Sequence, residues 1–311
     1  MMHQISEYLN GYEHYFTPYY GDGYIRFLTE IGFLDFSILG GRFRQRTEEY
    51  LRAKNLKIDY RGEQNNYDLV FTCVDLIIPK NIKKSKVILV QEGMTDPETL
   101  KYYLVKYLRL PRYLASTSMT GLSNAYDYFC VASEGYKELF VKKGVKEEKL
   151  IVTGIPNFDN IEKYRGNNFP YKDYVLVITS DMRETFKYEN RRRFILYAKK
   201  IAGKDQLIFK LHPNENIQRA TKEINKYAPG ALVFSEGNIY HMVANCHTLV
   251  SRYSSVVHMA NVLGKKIYCD IDRLVLEKLK PLQNGGLSAK NIARIAKKII
   301  EKGSTRKIVI N

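Results

Sequence analysis

The chain has 311 residues, 45% of them apolar and 26% charged, the proportions of a folded globular protein rather than a disordered one. Lys and Arg number 49 against 33 Asp and Glu, a net charge of +16, so the summed field favours anionic partners: nucleotides, nucleic acid or an anionic membrane face. No apolar run approaches the roughly 20 residues that span a bilayer, the opening MMHQISEYLN lacks the parts of a signal peptide, and Cys73, Cys130, Cys246 and Cys269 have neither CxxC nor paired-His spacing, which argues against a disulfide framework or a zinc site. The expectation is a cytoplasmic protein, at most peripheral at the inner membrane face, with no metal and no cofactor.

This length suits two domains. The chain opens in a helix-like stretch with no strand before it, so the first sheet is expected to lack its first strand. The turns TPYYGDG, with Tyr20 and Asp22, and Gly40-Gly41-Arg42 can shape an acceptor pocket, although turns need glycine in any case. Nine β-rich runs follow: YDLVFT from Tyr67, KVILV from Lys86, YFCVAS from Tyr128, LIVTG from Leu150, YVLVIT from Tyr174, LIFKL from Leu207, ALVFS from Ala231, TLVS from Thr248 and KIYC from Lys266. Unbroken apolar runs of this length read as buried parallel strands. Between them, TDPETLKYYLVKYL predicts a helix capped at Thr95 with Pro97 in its first turn, and EGYKELFVKKG predicts one closed by Gly144. Such alternation predicts two doubly wound, Rossmann-like α/β domains. Their expected bounds are 1–158 and 170–287, with a polar, Asn-rich linker between them and a packed amphipathic helix and tail over 288–311.

In such sheets ligands bind outside the carboxyl ends of the strands, which directs attention to four loops. Glu92-Gly93 follows the strand ending at Val90; its carboxylate is placed to act as a general base, or else to order the loop or cap the next helix. The loop 179–187 offers Ser180, Arg183, Thr185 and Lys187 to a diphosphate, unless Arg183, Glu184 and Lys187 satisfy one another on a helix start. In Lys210-Leu211-His212-Pro213 a strand ends in a histidine restricted by the next residue, suited to donate to a phosphoryl oxygen. Arg252-Tyr253-Ser254-Ser255 precedes an apolar helix whose free amides can be capped by serine or bind phosphate. Gly154 and Asn157 stand near the acceptor side. His241, His247 and His258 have no metal-ligand spacing and read as structural. The basic residues are spread over many segments without a nucleic-acid motif, and the 25 tyrosines form no stacking platform, so no specific nucleic-acid partner is expected.

The order of these motifs resembles a superfamily of GT-B enzymes that includes CDP-glycerol glycerophosphotransferases, bacterial polysialyltransferases, capsule Kdo transferases and UDP-GlcNAc 2-epimerases. The resemblance is carried by VTGIPNFD at 152–159, HP at His212-Pro213, YSSV at 253–256 and LGK at 263–265. It implies that Glu92 is the base and that His212, Ser254 and Ser255 contact the nucleotide phosphates of the donor. Many members also carry an acidic residue soon after the serine motif to bind ribose; His258-Met259-Ala260 here has none. The expectation is metal-independent transfer of a sugar or polyol phosphate from a nucleotide-sugar or CDP-polyol donor to a hydroxyl acceptor, such as a lipid-linked glycan, in surface polysaccharide or glycoconjugate synthesis. A 2-epimerase-like isomerase and a non-catalytic nucleotide-sugar-binding protein are the alternatives.

Overall fold

All nine expected strands form, and two more join them. The computed structural model describes residues 1–35, 37–184, 188–252 and 254–301, and the backbone of 307–310. In chain order the strands are β1 Glu13–Phe16, β2 Leu69–Thr72, β3 Lys86–Val90, β4 Tyr128–Val131, β5 Leu150–Val152, β6 Val175–Ile178, β7 Leu207–Lys210, β8 Leu232–Phe234, β9 Thr248–Ser251, β10 Lys266–Tyr268 and β11 Lys307–Ile310. They make two wholly parallel sheets, one in the order β1-β11-β2-β3-β4-β5 and one in the order β10-β9-β6-β7-β8. The central runs LVFT, VLVI and TLVS are buried at every residue, as strands covered on both faces must be.

The chain divides into two compact units, Met1–Asp159 with Asn284–Asn311, and Asn160–Gln283. The gap expected at the front of the first sheet is filled. Strand β1 is short and carries little apolar signal, and β11 arrives from the far end of the chain to lie between β1 and β2. The helix Ser288–Glu301, set apart with the tail on sequence, is part of the first unit: Ala289, Ile292, Ala293, Ala296 and Ile300 pack into one core with Ile5, Leu69, Phe71 and Ile88. Nor is the Asn-rich stretch after Asp159 a free linker. Asn167 and Asn245 exchange side-chain hydrogen bonds at 2.8 and 3.1 Å, and Tyr164 stacks on Tyr240 with ring centroids 4.8 Å apart. Asparagine, with donor and acceptor on one short side chain, satisfies irregular backbone locally and so gives polar sequence to ordered structure.

The helix expected from Thr95 begins later, at Leu100, with Thr99 at its N-cap position. Pro97 biases Asp96 toward extended backbone, and the Asp96 amide donates to Thr117 Oγ1 at 2.9 Å, which draws the chain away from helix. The Glu134–Lys143 helix ends as expected at Gly144, whose φ of 109° belongs to the left-handed region. At Gly41, φ is 52° and a Cβ would lie 2.2 Å from the Asp35 carbonyl oxygen, so that turn requires glycine whatever lies beside it.

Asp159, the last residue of VTGIPNFD, is buried and accepts from the Ser288 amide at 2.7 Å. It caps, from a distant part of the chain, the helix that fills the first core. Asp159→Ala is expected to lower the stability of this unit by about 1–2 kcal/mol, read as a shift in urea midpoint at unchanged m-value; no shift would show that the cap is dispensable.

Candidate active site

In the first unit, Glu92 stands just past the end of β3 in a tightly held loop. Gln91 is buried; its side-chain amide donates to Gly93 O at 2.8 Å and its Oε1 accepts from Ala132 N at 2.9 Å. Asn157 Nδ2 donates to the Glu92 carbonyl at 3.1 Å. These bonds fix the backbone and leave the carboxylate unused: Glu92 makes no hydrogen bond or ion pair to any described residue. It caps no helix either, because the next one starts at Leu100. Glu92 lines a pocket of about 410 Å³ with Phe16, Thr17, Phe43, Tyr50 and Cys73 among its walls. By surface area its side chain is exposed, yet the protein packed around it raises its carboxyl pKa, against the smaller pull of the Met1 ammonium.

The other acceptor-side candidates are engaged with the protein's own groups. The Tyr20 hydroxyl donates to Asn81 Oδ1 at 3.0 Å, and Asp22 accepts from the Lys80 amide at 2.5 Å. Gly154 has a φ of 70° in the bend that leads to Asn157. Of this group Asn157 and Gly93 reach the Glu92 loop, and Tyr20 and Asp22 bond elsewhere. Gln91 is the residue that sequence reasoning passed over, although a polar side chain ending an otherwise apolar strand was the available signal.

In the second unit the chain runs from β6 outward through β7 and β8, then returns to the other side of β6 as β9 and β10. The strand order therefore reverses between β6 and β9, the place where open parallel sheets leave a crevice at the carboxyl edge. The loops after β6, β7 and β9 all open there. Beneath them lies a buried ion-pair network. Glu189 and Glu215 have fully buried side chains; Arg191 lies 2.8 Å from Glu189 and 2.5 Å from Glu215. Thr179 Oγ1 donates to Glu215 at 2.5 Å and accepts from the His212 amide at 3.1 Å, which ties the β6 loop to the β7 loop.

This network takes up several residues that sequence assigned to phosphate. Arg183 forms a two-pronged pair with Glu223 at 2.9 and 2.8 Å and approaches Glu189 and Glu215 at 3.8 Å, so it faces carboxylates rather than an open anion site. Glu184 pairs with Arg219 and not with Arg183. Ser180 Oγ donates to Glu189 at 3.1 Å. The Lys210 ammonium is buried and donates to Leu211 O at 3.1 Å and Ser235 O at 2.8 Å. The reason is that a polar or charged group at the base of a packed loop, cut off from water, must be satisfied by the protein itself. Thr185, Lys187 and Tyr253 lie outside the described residues.

His212 is placed differently. Its Nδ1 accepts from the Asn214 amide at 3.2 Å, while Asp181 at 3.6 Å is beyond hydrogen-bond reach. Burial lowers its pKa, outweighing the pull of Asp181. A neutral ring whose Nδ1 accepts carries its proton on Nε2, which leaves one N–H to donate. Ser254 and Ser255 precede the short helix Val256–Val262; the Ser255 side chain makes no capping bond, and Ser254 Oγ accepts from Val256 N at 3.4 Å. Arg252 is paired with Asp270 at 3.0 Å. The LGK motif closes this helix, with Gly264 at φ 68° and Lys265 donating to Ala244 O at 2.7 Å. His258 is buried, and its burial pushes the pKa down to about 4.

Two outcomes follow for this unit. Arg191→Ala takes the close guanidinium from both buried carboxylates, Glu189 and Glu215, and is expected to cost about 3–5 kcal/mol, measurable by urea unfolding; a cost near zero would mean the network holds nothing in place. His258 binds no proton in the folded protein above about pH 4, whereas in the unfolded chain it titrates near the ordinary imidazole value of about 6.5. Between these values acid favours unfolding, so stability is expected to fall by up to about 3 kcal/mol as pH drops through that window, and His258→Gln should flatten the slope.

No protein-family model matches the chain, and no curated protein does. Solved structures do. S. aureus MnaA in a co-structure with UDP superposes with a TM-score of 0.57 at 11% identity, over 96% of this chain and 100% of that one. The UDP-GlcNAc 2-epimerase from Neisseria meningitidis bound to UDP-GlcNAc gives 0.52 at 16%, over 82% and 89%. A variant of the wall teichoic acid polymerase TagF gives 0.51 at 12%, over 95% and 91%. At such identities the likeness is one of fold: this chain has two Rossmann-like domains of the GT-B type.

Proposed function

We propose that this GT-B-type chain transfers a sugar or polyol phosphate from a nucleotide-activated donor to a hydroxyl acceptor, in the synthesis of a surface polysaccharide or glycoconjugate. The observation that carries the reading is Glu92: a carboxylate at a strand's carboxyl end, on a loop fixed by Gln91 and Asn157, lining a pocket and engaged with no described side chain. A carboxylate whose pKa is raised while it stays free is suited to take a proton from an attacking hydroxyl.

In the proposed reaction the acceptor hydroxyl, held in the pocket of the first unit, attacks the donor carbon or phosphorus bonded to the leaving phosphate oxygen. Glu92 takes the hydroxyl proton as that bond breaks. The negative charge that develops on the leaving phosphate is met in the second unit by the Nε2 proton of His212 and by the hydroxyls and amides of the Ser254-Ser255 turn. Arg183 and Lys210, being paired within the protein, act by holding the loops rather than by touching phosphate. The donor class is supported by the fold shared with proteins solved with UDP and with UDP-GlcNAc, and group transfer by the fold shared with a wall teichoic acid polymerase. We assign no metal to the step.

The test begins with melting temperature against CDP, UDP, GDP and their sugar and polyol conjugates, with and without EDTA, since a ligand that binds the native state stabilises it. A selective rise that survives EDTA and disappears in His212→Ala is expected. Glu92→Gln should then keep the donor-induced rise while transfer falls by about 10²–10⁴-fold. The wild-type rate should climb with pH as Glu92 ionises, above the ordinary carboxylate range. Conversion of UDP-GlcNAc to its 2-epimer without any acceptor would replace this reading with isomerisation; donor binding with no turnover under any condition would replace it with a binding protein.

A further inference from the structure

Exposed large apolar side chains are not scattered evenly over this chain. Between positions 100 and 114 the helix Leu100–Tyr107 buries only Tyr102 and Val105. That pair packs with Ala115 and Met119 into a small core, and the opposite side is left bare. Leu100 and Tyr107 are each 75% exposed and Leu108 is 63% exposed, with Leu104, Tyr113 and Leu114 also open to solvent. A helix that hides one face in a core normally presents polar residues on the other, and an apolar patch of this extent marks an interaction surface.

The charge within the same stretch says what kind. LKYYLVKYLRLPRYL holds four basic residues, Lys101, Lys106, Arg109 and Arg112, and no acidic one. Lys106 and Arg112 are tied inward, Lys106 to Lys143 O at 2.9 Å and Arg112 to Asp75 O at 3.2 Å. Lys101 and Arg109 are exposed and form no ion pair with any described residue. The nearest carboxylate in sequence, Glu98, is engaged by the Tyr103 hydroxyl at 3.1 Å, and leucine and tyrosine interleaved with unpaired cations is the composition that seats at the boundary between acyl chains and anionic headgroups. A second exposed apolar group, Tyr24, Phe27, Ile31 and Phe33, lacks this feature, because its arginine, Arg26, is paired with Glu30 at 2.9 Å. Among the described residues no helix is long and apolar enough to cross a membrane, so contact through this face would be from one side.

We propose that the face formed by Leu100, Leu104, Tyr107, Leu108 and Leu114, with Lys101 and Arg109 beside it, docks the protein on an anionic phospholipid bilayer. Tyrosine and leucine enter the interfacial layer, and the two free cations meet lipid phosphates. The inference stands on this face alone and not on the transfer reading. It adds one thing to that reading: the loop that begins with Glu92 ends in this helix, so a docked protein would meet an acceptor carried by a lipid.

The experiment is flotation of the full chain with vesicles of pure phosphatidylcholine and of phosphatidylcholine with phosphatidylglycerol. Binding is expected only with the anionic lipid. Tyr107→Ser with Leu108→Ser, both at exposed positions, should lower partitioning, and Lys101→Glu with Arg109→Glu should lower it by about tenfold or more. Unchanged circular dichroism and melting temperature would show that the variants fold. The proposal is overturned if the wild-type chain ignores anionic vesicles or if the Tyr107/Leu108 pair binds as the wild type does. It is equally overturned if loss follows Tyr24→Ser with Phe27→Ser instead, or if the Tyr107/Leu108 pair converts a dimer in solution to a monomer, which would make the face a contact between copies. Donor-induced melting shifts are independent of all these results, so failure here leaves the donor site standing, and the reverse holds too.

Discussion

Glu215 has no solvent-exposed side-chain surface, and its charge is kept there because Arg191 and Thr179 reach it and Arg183 lies near. Much of the second unit's working edge depends on that pairing. Thr179, directly after β6, is bonded both to Glu215 and to the amide of His212, so the residue that compensates a buried carboxylate also sets where the histidine stands. Arg183 and Glu223 extend the network outward to the helix Ile217–Tyr227. An isolated buried carboxylate is expensive, and a pair of charges gains in the interior only when its geometry is complete. The network is thus rigid for an electrostatic reason, and the loops above it inherit that rigidity.

The first unit reaches a held loop by other means. Gln91 and Asn157 use neutral amides to fix the backbone around Glu92, and the cation that acts on its carboxylate is the Met1 ammonium, through space and without an ion pair. The contrast between the units is chemical. The second unit pairs its own ions below the surface and leaves an imidazole and hydroxyls above them. The first leaves an acid with no hydrogen bond or ion pair to any described residue, in surroundings that raise its pKa.

Much of this was legible in the chain before any fold was known. Nine strands could be placed because a strand covered on both sides must be apolar at nearly every position, and runs such as VLVI and TLVS say so without reference to distant residues. The carboxyl-end loops followed from the strands, and with them Glu92, His212 and the serine turn. The KIVI run at 307–310 carried a strand signal too, but nothing local could tell that it pairs between β1 and β2. The helix start at Leu100 was missed because Thr95 and Pro97 form a plausible cap, and the hydrogen bond that prevents it comes from Thr117.

What the sequence determined by itself is therefore periodicity and residue chemistry: parallel sheets, helices between them, and which side chains stand at strand ends. What tertiary structure decided is which of those side chains are free. Arg183, Lys210 and Ser180 had the right chemistry for phosphate, and each is spent on a partner far along the chain or across a loop. Glu92 had no better local credentials, yet it alone among the acid and base candidates on the acceptor side is left open. Partnership is a long-range property, because hydrogen bonds and ion pairs are satisfied in space and not along the chain.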